Sequence, residues 1–126
     1  MILDSSFLID LMADDAGARA KLDELVADAT PLTVSSLSVT EVRRGLRRTA
    51  AREQFDDVMG ELTVVPYGYP EARRAADLLR RLDEAGDAIG AVDAMIAATA
   101  LERDEKLLTR NLHEFRRVDG LRASPY

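Results

Sequence analysis

Short apolar runs alternate along this chain with longer stretches whose apolar residues recur at helical spacing. Met1-Ile2-Leu3 ends on Asp4 and predicts a buried strand, followed by a short apolar helix through Phe7, Leu8, Ile9, Leu11 and Met12. A second helix is expected over 14–29, with Ala18, Leu22, Leu25, Val26 and Ala29 as its stripe and Pro31 as its stop. Leu32-Thr33-Val34 predicts a second strand. Residues 35–40 read as a polar bridge into a helix that carries Glu41, Val42 and Leu46. An amphipathic helix over 51–61 leads to a third strand, Leu62-Thr63-Val64-Val65, closed by Pro66. A long helix over 70–85 ends at Gly86 in the usual C-terminal manner. Lys106-Leu107-Leu108-Thr109 predicts a fourth strand, 110–115 a turn or short helix, and 118–125 an edge strand.

The stretch from Gly86 to Leu101 stands apart. Its second half, Ala94 to Leu101, is apolar all round, which suits a helix held in an interior. Asp93 heads that run, and its helical stripe carries Ile96, Ala97 and Ala100 with no basic residue to pair with. A carboxylate facing packed apolar surface is costly unless it is hydrogen-bonded, neutralised or holding a cation. The structural reading is an acid favoured by the dipole of a helix's first turn. Asp4 and Glu41 carry the same two readings. Asp4 would suit a helix N-cap, and Ser38-Val39-Thr40-Glu41 fits a capping box.

Alternation of strands and helices implies an α/β fold with a central, mainly parallel sheet of four to five strands and helices on both faces. Such a sheet aligns the C-terminal ends of its strands along one edge, where ligands bind. Asp4, Glu41 and the Thr109-Arg110-Asn111 turn each follow a strand, and Asp93 heads the buried helix.

Composition narrows the chemistry. The 126 residues predict one domain, with 47% apolar and 32% charged residues. Absence of cysteine removes disulfides, thiol nucleophiles and Cys-based zinc sites, and His113 is the only histidine. Acids gathered at one edge would therefore form an oxygen-only site, suited to Mg²⁺ or Mn²⁺. No apolar run approaches the ~20 residues of a membrane span, and no basic leader opens the chain, so a cytoplasmic protein is expected. The net charge of −6 argues against nucleic-acid binding by bulk electrostatics. Fifteen of the 17 basic residues are nevertheless arginines, and they cluster: 43, 44, 47, 48 and 52; 73, 74, 80 and 81; 110, 116, 117 and 122. These clusters read as solvated, ion-paired helix faces or as local phosphate contacts.

Four motifs carry a family resemblance. Asp4-Ser5-Ser6-Phe7-Leu8-Ile9 resembles the opening motif of PIN-domain ribonucleases, particularly the VapC toxins of VapBC toxin–antitoxin pairs. Ser38-Val39-Thr40-Glu41-Val42 is similar to their second motif, and Asp87-Ala88-Ile89-Gly90 through Asp93 to Ala100 to their third. Leu108-Thr109-Arg110-Asn111-Leu112-His113-Glu114-Phe115 resembles the fourth, with Asn111 where many members carry Asp. The resemblance spans the chain in order.

It implies a three-layer α/β/α PIN-like domain and metal-dependent cleavage of single-stranded RNA. Asp4, Glu41 and Asp93 would hold Mg²⁺ or Mn²⁺, with weaker contributions from Asn111 and Glu114. Ser5, Ser6 and Thr109 would hydrogen-bond those acids from behind. Arg43, Arg44, Arg47, Arg48 and Arg110 would contact RNA phosphates. A VapB-like antitoxin and a homodimer partner are the implied protein partners, with apolar positions over 51–61 and near Leu46 as candidate surface for either.

Rival readings place acids at strand ends too. A phosphoryl-accepting receiver needs an acceptor Asp on a middle strand, where this chain has Val64-Val65-Pro66. A haloacid-type hydrolase needs Asp-x-Asp after the first strand, where this chain has Asp4-Ser5-Ser6. A non-catalytic protein-binding module would use its acids as helix caps.

Overall fold

A computed structural model describes residues 1–126. Five parallel strands stand in the order β3-β2-β1-β4-β5. They are β1 (Ile2–Leu3), β2 (Thr33–Ser35), β3 (Thr63–Val65), β4 (Leu107–Leu108) and β5 (Ala123–Ser124). Helices α1 (Ser5–Met12) and α2 (Ala16–Ala27) join β1 to β2, and α3 (Ser36–Gly45) and α4 (Thr49–Gly60) join β2 to β3. The chain then crosses back through α5 (Tyr69–Glu84) and α6 (Ala91–Arg103) to β4, and α7 (Leu112–Phe115) leads to β5. No helix is long and apolar enough to cross a membrane.

Crossovers between parallel strands are right-handed, so reversing the direction of travel after β3 moves the helices to the other face. The packing follows this rule. Leu3, Val34 and Leu108 join one core with Phe7, Leu11, Leu25, Val42 and Phe55 of α1–α4. Ile2 and Leu107 join the other, with Leu78, Leu82, Ala94, Ala97, Ala100 and Phe115 of α5–α7. Neighbouring residues of one strand thus feed opposite cores, as the two-residue period of a strand requires. Three layers result. Ala94, Ala97, Ala98 and Ala100 are fully buried, which explains the apolar circumference of α6.

Three elements differ from expectation. The polar stretch 35–40 is not a bridge, because α3 begins at Ser36. Ser35 ends β2 and also caps α3, its hydroxyl accepting the Leu37 amide at 3.2 Å. Serines that read as loop formers serve here at a cap and in a buried first turn, where packing outweighs propensity. Ser38 is fully buried and its Oγ has no partner, so the expected capping box does not form. The edge strand shrinks from 118–125 to the two residues of β5. The helix expected from Asp14 starts at Ala16, because Asp15 accepts the Ala18 amide at 2.9 Å and fixes the N-terminus.

Candidate active site

The chain leaves β1 toward β2 on one side and reaches β4 and β5 on the other. The crevice beyond the C-terminal ends of β1 and β4 is therefore the sheet's topological switch point. Asp4 follows β1, and its amide donates to the Leu108 carbonyl of β4 at 2.9 Å. Its side chain is 2% exposed yet caps no helix, although Asp4 occupies the N-cap position of α1. Two hydroxyls donate to one carboxylate oxygen instead: Ser6 Oγ to Oδ2 at 2.8 Å and Thr109 Oγ1 to Oδ2 at 2.7 Å. Oδ1 accepts no hydrogen bond from the protein and is not sealed in the core.

Glu41 lies on α3, exposed, one and a half turns beyond the Ser35 cap. Its Oε1 accepts from Ser5 Oγ at 2.7 Å, which ties α3 to the start of α1 and leaves Oε2 free. Asp93 stands in the first turn of α6, where Gly90 is the N-cap and offers no side chain. The Asp93 carboxylate accepts no hydrogen bond. Burial first, then the charges of Asp4, Glu41 and Glu114, push its pKa up to about 6. Four acids from four elements therefore share one electrostatic neighbourhood. None of Asp4, Glu41 and Asp93 serves as a cap or forms an ion pair.

The acids are gathered but not closed into a cage, for no three His, Cys, Asp or Glu side chains stand around one point as a finished metal site would have them. Like charges without a counter-charge favour such a splayed arrangement. The donor set itself fits a hard divalent cation. It offers free oxygens on Asp4, Glu41 and Asp93, with no nitrogen or sulfur and no competing arginine.

The remaining expected residues fall in different places. Glu114, on α7, is half-buried within the field of Asp93, and Arg117 lies 3.7 Å from its Oε2. Asn111 is exposed and its side chain makes no hydrogen bond, while its amide donates to Thr109 Oγ1 at 2.9 Å. Arg43 is turned away onto Asp56, which it grips through Nε at 2.9 Å and Nη2 at 3.1 Å. Arg110 reaches Asp10 at 2.6 Å. Arg44, Arg47 and Arg48 stand exposed without side-chain partners. Of the apolar positions over 51–61 and near Leu46, Phe55 is fully buried, whereas Val58, Met59 and Leu46 pack against the same core and stay partly exposed. Amphipathic spacing marks a helix's core face and by itself says nothing of spare apolar surface. Exposed large apolar side chains are Ile9, Val26, Val64, Tyr69 and Val92. Asp10 and Tyr126 abut the site although no local pattern marks them. The only sequence signal is the i, i+4 spacing of Ser6 and Asp10.

Thr109 holds this edge together. Its buried hydroxyl donates to Asp4 and accepts from Asn111. Thr109→Val keeps the shape and removes both bonds, one of them to a charged group. The expected loss is about 2–3 kcal/mol of stability, read by urea unfolding. A loss well under 1 kcal/mol would contradict this role.

The model of the PIN domain matches residues 1–121. Ribonuclease VapC10 of Mycobacterium tuberculosis is 34% identical over 122 residues, covering 97% of this chain and 90% of that one. The tRNA(fMet)-specific endonuclease VapC of Salmonella typhimurium is 28% identical over 99 residues, covering 75% of each chain. Among solved structures, VapBC2 from Rickettsia felis bound to a promoter DNA fragment superposes with a TM-score of 0.87 at 20% identity, covering 99% of this chain and 97% of that one. At that identity the last comparison speaks for the fold, whereas the first two carry the lineage. With its acids at the switch point of this sheet, the chain belongs to the PIN-domain family, among the VapC-type ribonucleases.

Proposed function

We propose that this chain is the toxin of a VapBC-type pair, an endoribonuclease that hydrolyses phosphodiesters of single-stranded RNA. The observation that carries the reading is the gathering of Asp4, Glu41 and Asp93 from separate elements, each with a carboxylate oxygen left free and none paired with a base. Relatives named as ribonucleases support the activity, and the likeness to the toxin in the VapBC2 complex supports a VapB-like antitoxin as partner. A homodimer of one-domain chains acting in the cytoplasm completes the proposal.

Asp4, Glu41 and Asp93 would hold Mg²⁺ or Mn²⁺, with Glu114 and Asn111 as further oxygen donors. A divalent cation bound there would supply charge stabilisation at the scissile phosphate and lower the pKa of an attacking water. The chain's own residues do the rest. Ser6 and Thr109 load Oδ2 of Asp4, which leaves Oδ1 as its outward-facing ligand oxygen. Ser5 restrains Glu41 through one oxygen and leaves the other available. Arg44, Arg47 and Arg48, exposed around the turn from α3 to α4, would contact phosphates, and Arg43 and Arg110 would first have to release their acids.

Hydrolysis by an activated water leaves a 5′-phosphate and a 3′-hydroxyl and does not use the ribose 2′-hydroxyl. Replacing the scissile nucleotide of a single-stranded RNA by its 2′-deoxy form therefore leaves cleavage in Mg²⁺ in place, with 5′-phosphate ends that ligate directly. Products ending in a 2′,3′-cyclic phosphate would contradict the proposal.

A further inference from the structure

Asp10 lies one helical turn beyond Ser6 on the same face of α1, outside the acid cluster. Its half-buried carboxylate receives two donors from 100 and 116 residues away. Arg110 Nη1 reaches Oδ1 at 2.6 Å, and the Tyr126 hydroxyl donates to Oδ2. The same hydroxyl lies 3.3 Å from the Ser6 carbonyl oxygen, and the Tyr126 ring meets Phe7 edge-on at 4.8 Å between centroids. Arg110 makes a second tie through its backbone, whose N–H donates to Ser6 Oγ at 3.1 Å. Ser6 is thus held at its hydroxyl by the Arg110 backbone, and the Tyr126 hydroxyl, its proton given to Asp10, packs against the Ser6 carbonyl. The proton of the Ser6 hydroxyl goes to Asp4 Oδ2 at 2.8 Å.

We propose that Asp10, Arg110 and Tyr126 form a brace that fixes the start of α1 and the Ser6 hydroxyl, and thereby the orientation of Asp4 toward the cation. The inference rests on the reading of Asp4 as a ligand given above. All three are positioning residues. Their polar atoms are spent on one another and on Ser6, and none of their interactions is with Glu41 or Asp93. This places the guanidinium of Arg110 in the brace rather than on a phosphate. Burial, then the hydrogen bond to Asp10 and its charge, also push the Tyr126 hydroxyl above the ordinary tyrosine range, which favours its role as a donor.

Tyr126→Phe keeps the ring on Phe7 and removes the hydroxyl, and Asp10→Asn keeps an acceptor and removes the charge. For each, Mn²⁺ binding is titrated by electron paramagnetic resonance on the folded protein, and kcat and KM are measured on single-stranded RNA. The brace predicts Mn²⁺ binding weakened on the order of tenfold, kcat lowered to match, and KM for RNA changed by less than about twofold. It also predicts that Ser6→Ala combined with Tyr126→Phe is no worse than Ser6→Ala alone, because both act through one hydroxyl. Wild-type Mn²⁺ affinity in both single variants, or losses that multiply in the double variant, would overturn it. A different result marks failure of the underlying reading: unaltered wild-type protein that does not cleave, and Mn²⁺ binding that Asp4→Asn leaves untouched. That outcome removes the brace along with the metal site.

Discussion

Asp93→Asn is expected to lower RNA cleavage about a thousandfold and, in metal-free buffer at neutral pH, to make the protein more stable. Both effects come from one cause. Asp93 is half-buried beside Asp4, Glu41 and Glu114, and its carboxyl is raised to about 6, whereas an unfolded Asp titrates near 3.9. A carboxyl raised on folding contributes stability below its unfolded value, and that contribution is lost as pH climbs through the folded value. Between about pH 4 and 6 the unfolded chain releases the proton more readily, so ionisation draws the equilibrium toward unfolding. Two units correspond to roughly 3 kcal/mol, and partial exposure reduces this to about 1–2 kcal/mol. The amide carries no charge and avoids the loss. Urea unfolding in EDTA should therefore show variant and wild type alike near pH 4 and the variant ahead at pH 7.5. Added Mg²⁺ should then stabilise the wild type by mass action and leave the variant nearly unmoved. A wild type that outlasts the variant at pH 7.5 without metal would mean that Asp93 is satisfied within the protein, contrary to its lack of partners.

Phe7→Ala has the largest expected effect on stability, about 3–5 kcal/mol. Phe7 is fully buried in the core on the α1–α4 face, with Leu3, Leu11, Val42 and Phe55 in the same cluster. Its ring also meets Tyr126 edge-on, with centroids 4.8 Å apart. Truncation removes transfer free energy and opens a cavity that strands of two or three residues and a short helix are poorly able to collapse around. Domains of this size hold about 5–15 kcal/mol in all, so the variant should lose a large fraction of its stability. Phe7→Leu retains most of the volume and should cost under about 1.5 kcal/mol. Equal losses for the two variants would show that the ring's size is not what matters.

The alternation of strands and helices was legible because each short apolar run stood before a helix-period stretch. Asp4 and Thr109 were legible for the same reason: each directly follows a strand, and the position of a strand end follows from the period alone. Local chemistry misled where the same residue types serve two purposes. Ser38-Val39-Thr40-Glu41 has the spacing of a capping box, yet the helix begins two residues before Ser38 and Glu41 takes its hydrogen bond from Ser5. Arg43 looked free for phosphate, and only the packing of α3 against α4 brings Asp56 under its fork. Asp10, Arg110 and Tyr126 meet across separations of 100 and 116 residues, and nothing in the neighbourhood of any one of them announces the others.

The central claim is that carboxylates carried by separate elements close on one divalent ion at the switch point of the sheet. Manganese anomalous scattering from crystals soaked in Mn²⁺ tests it most directly. A single peak bounded by Oδ1 of Asp4 and the carboxylates of Glu41 and Asp93 is the predicted result. Soaked crystals without that peak, or with manganese bound only elsewhere, would contradict the account.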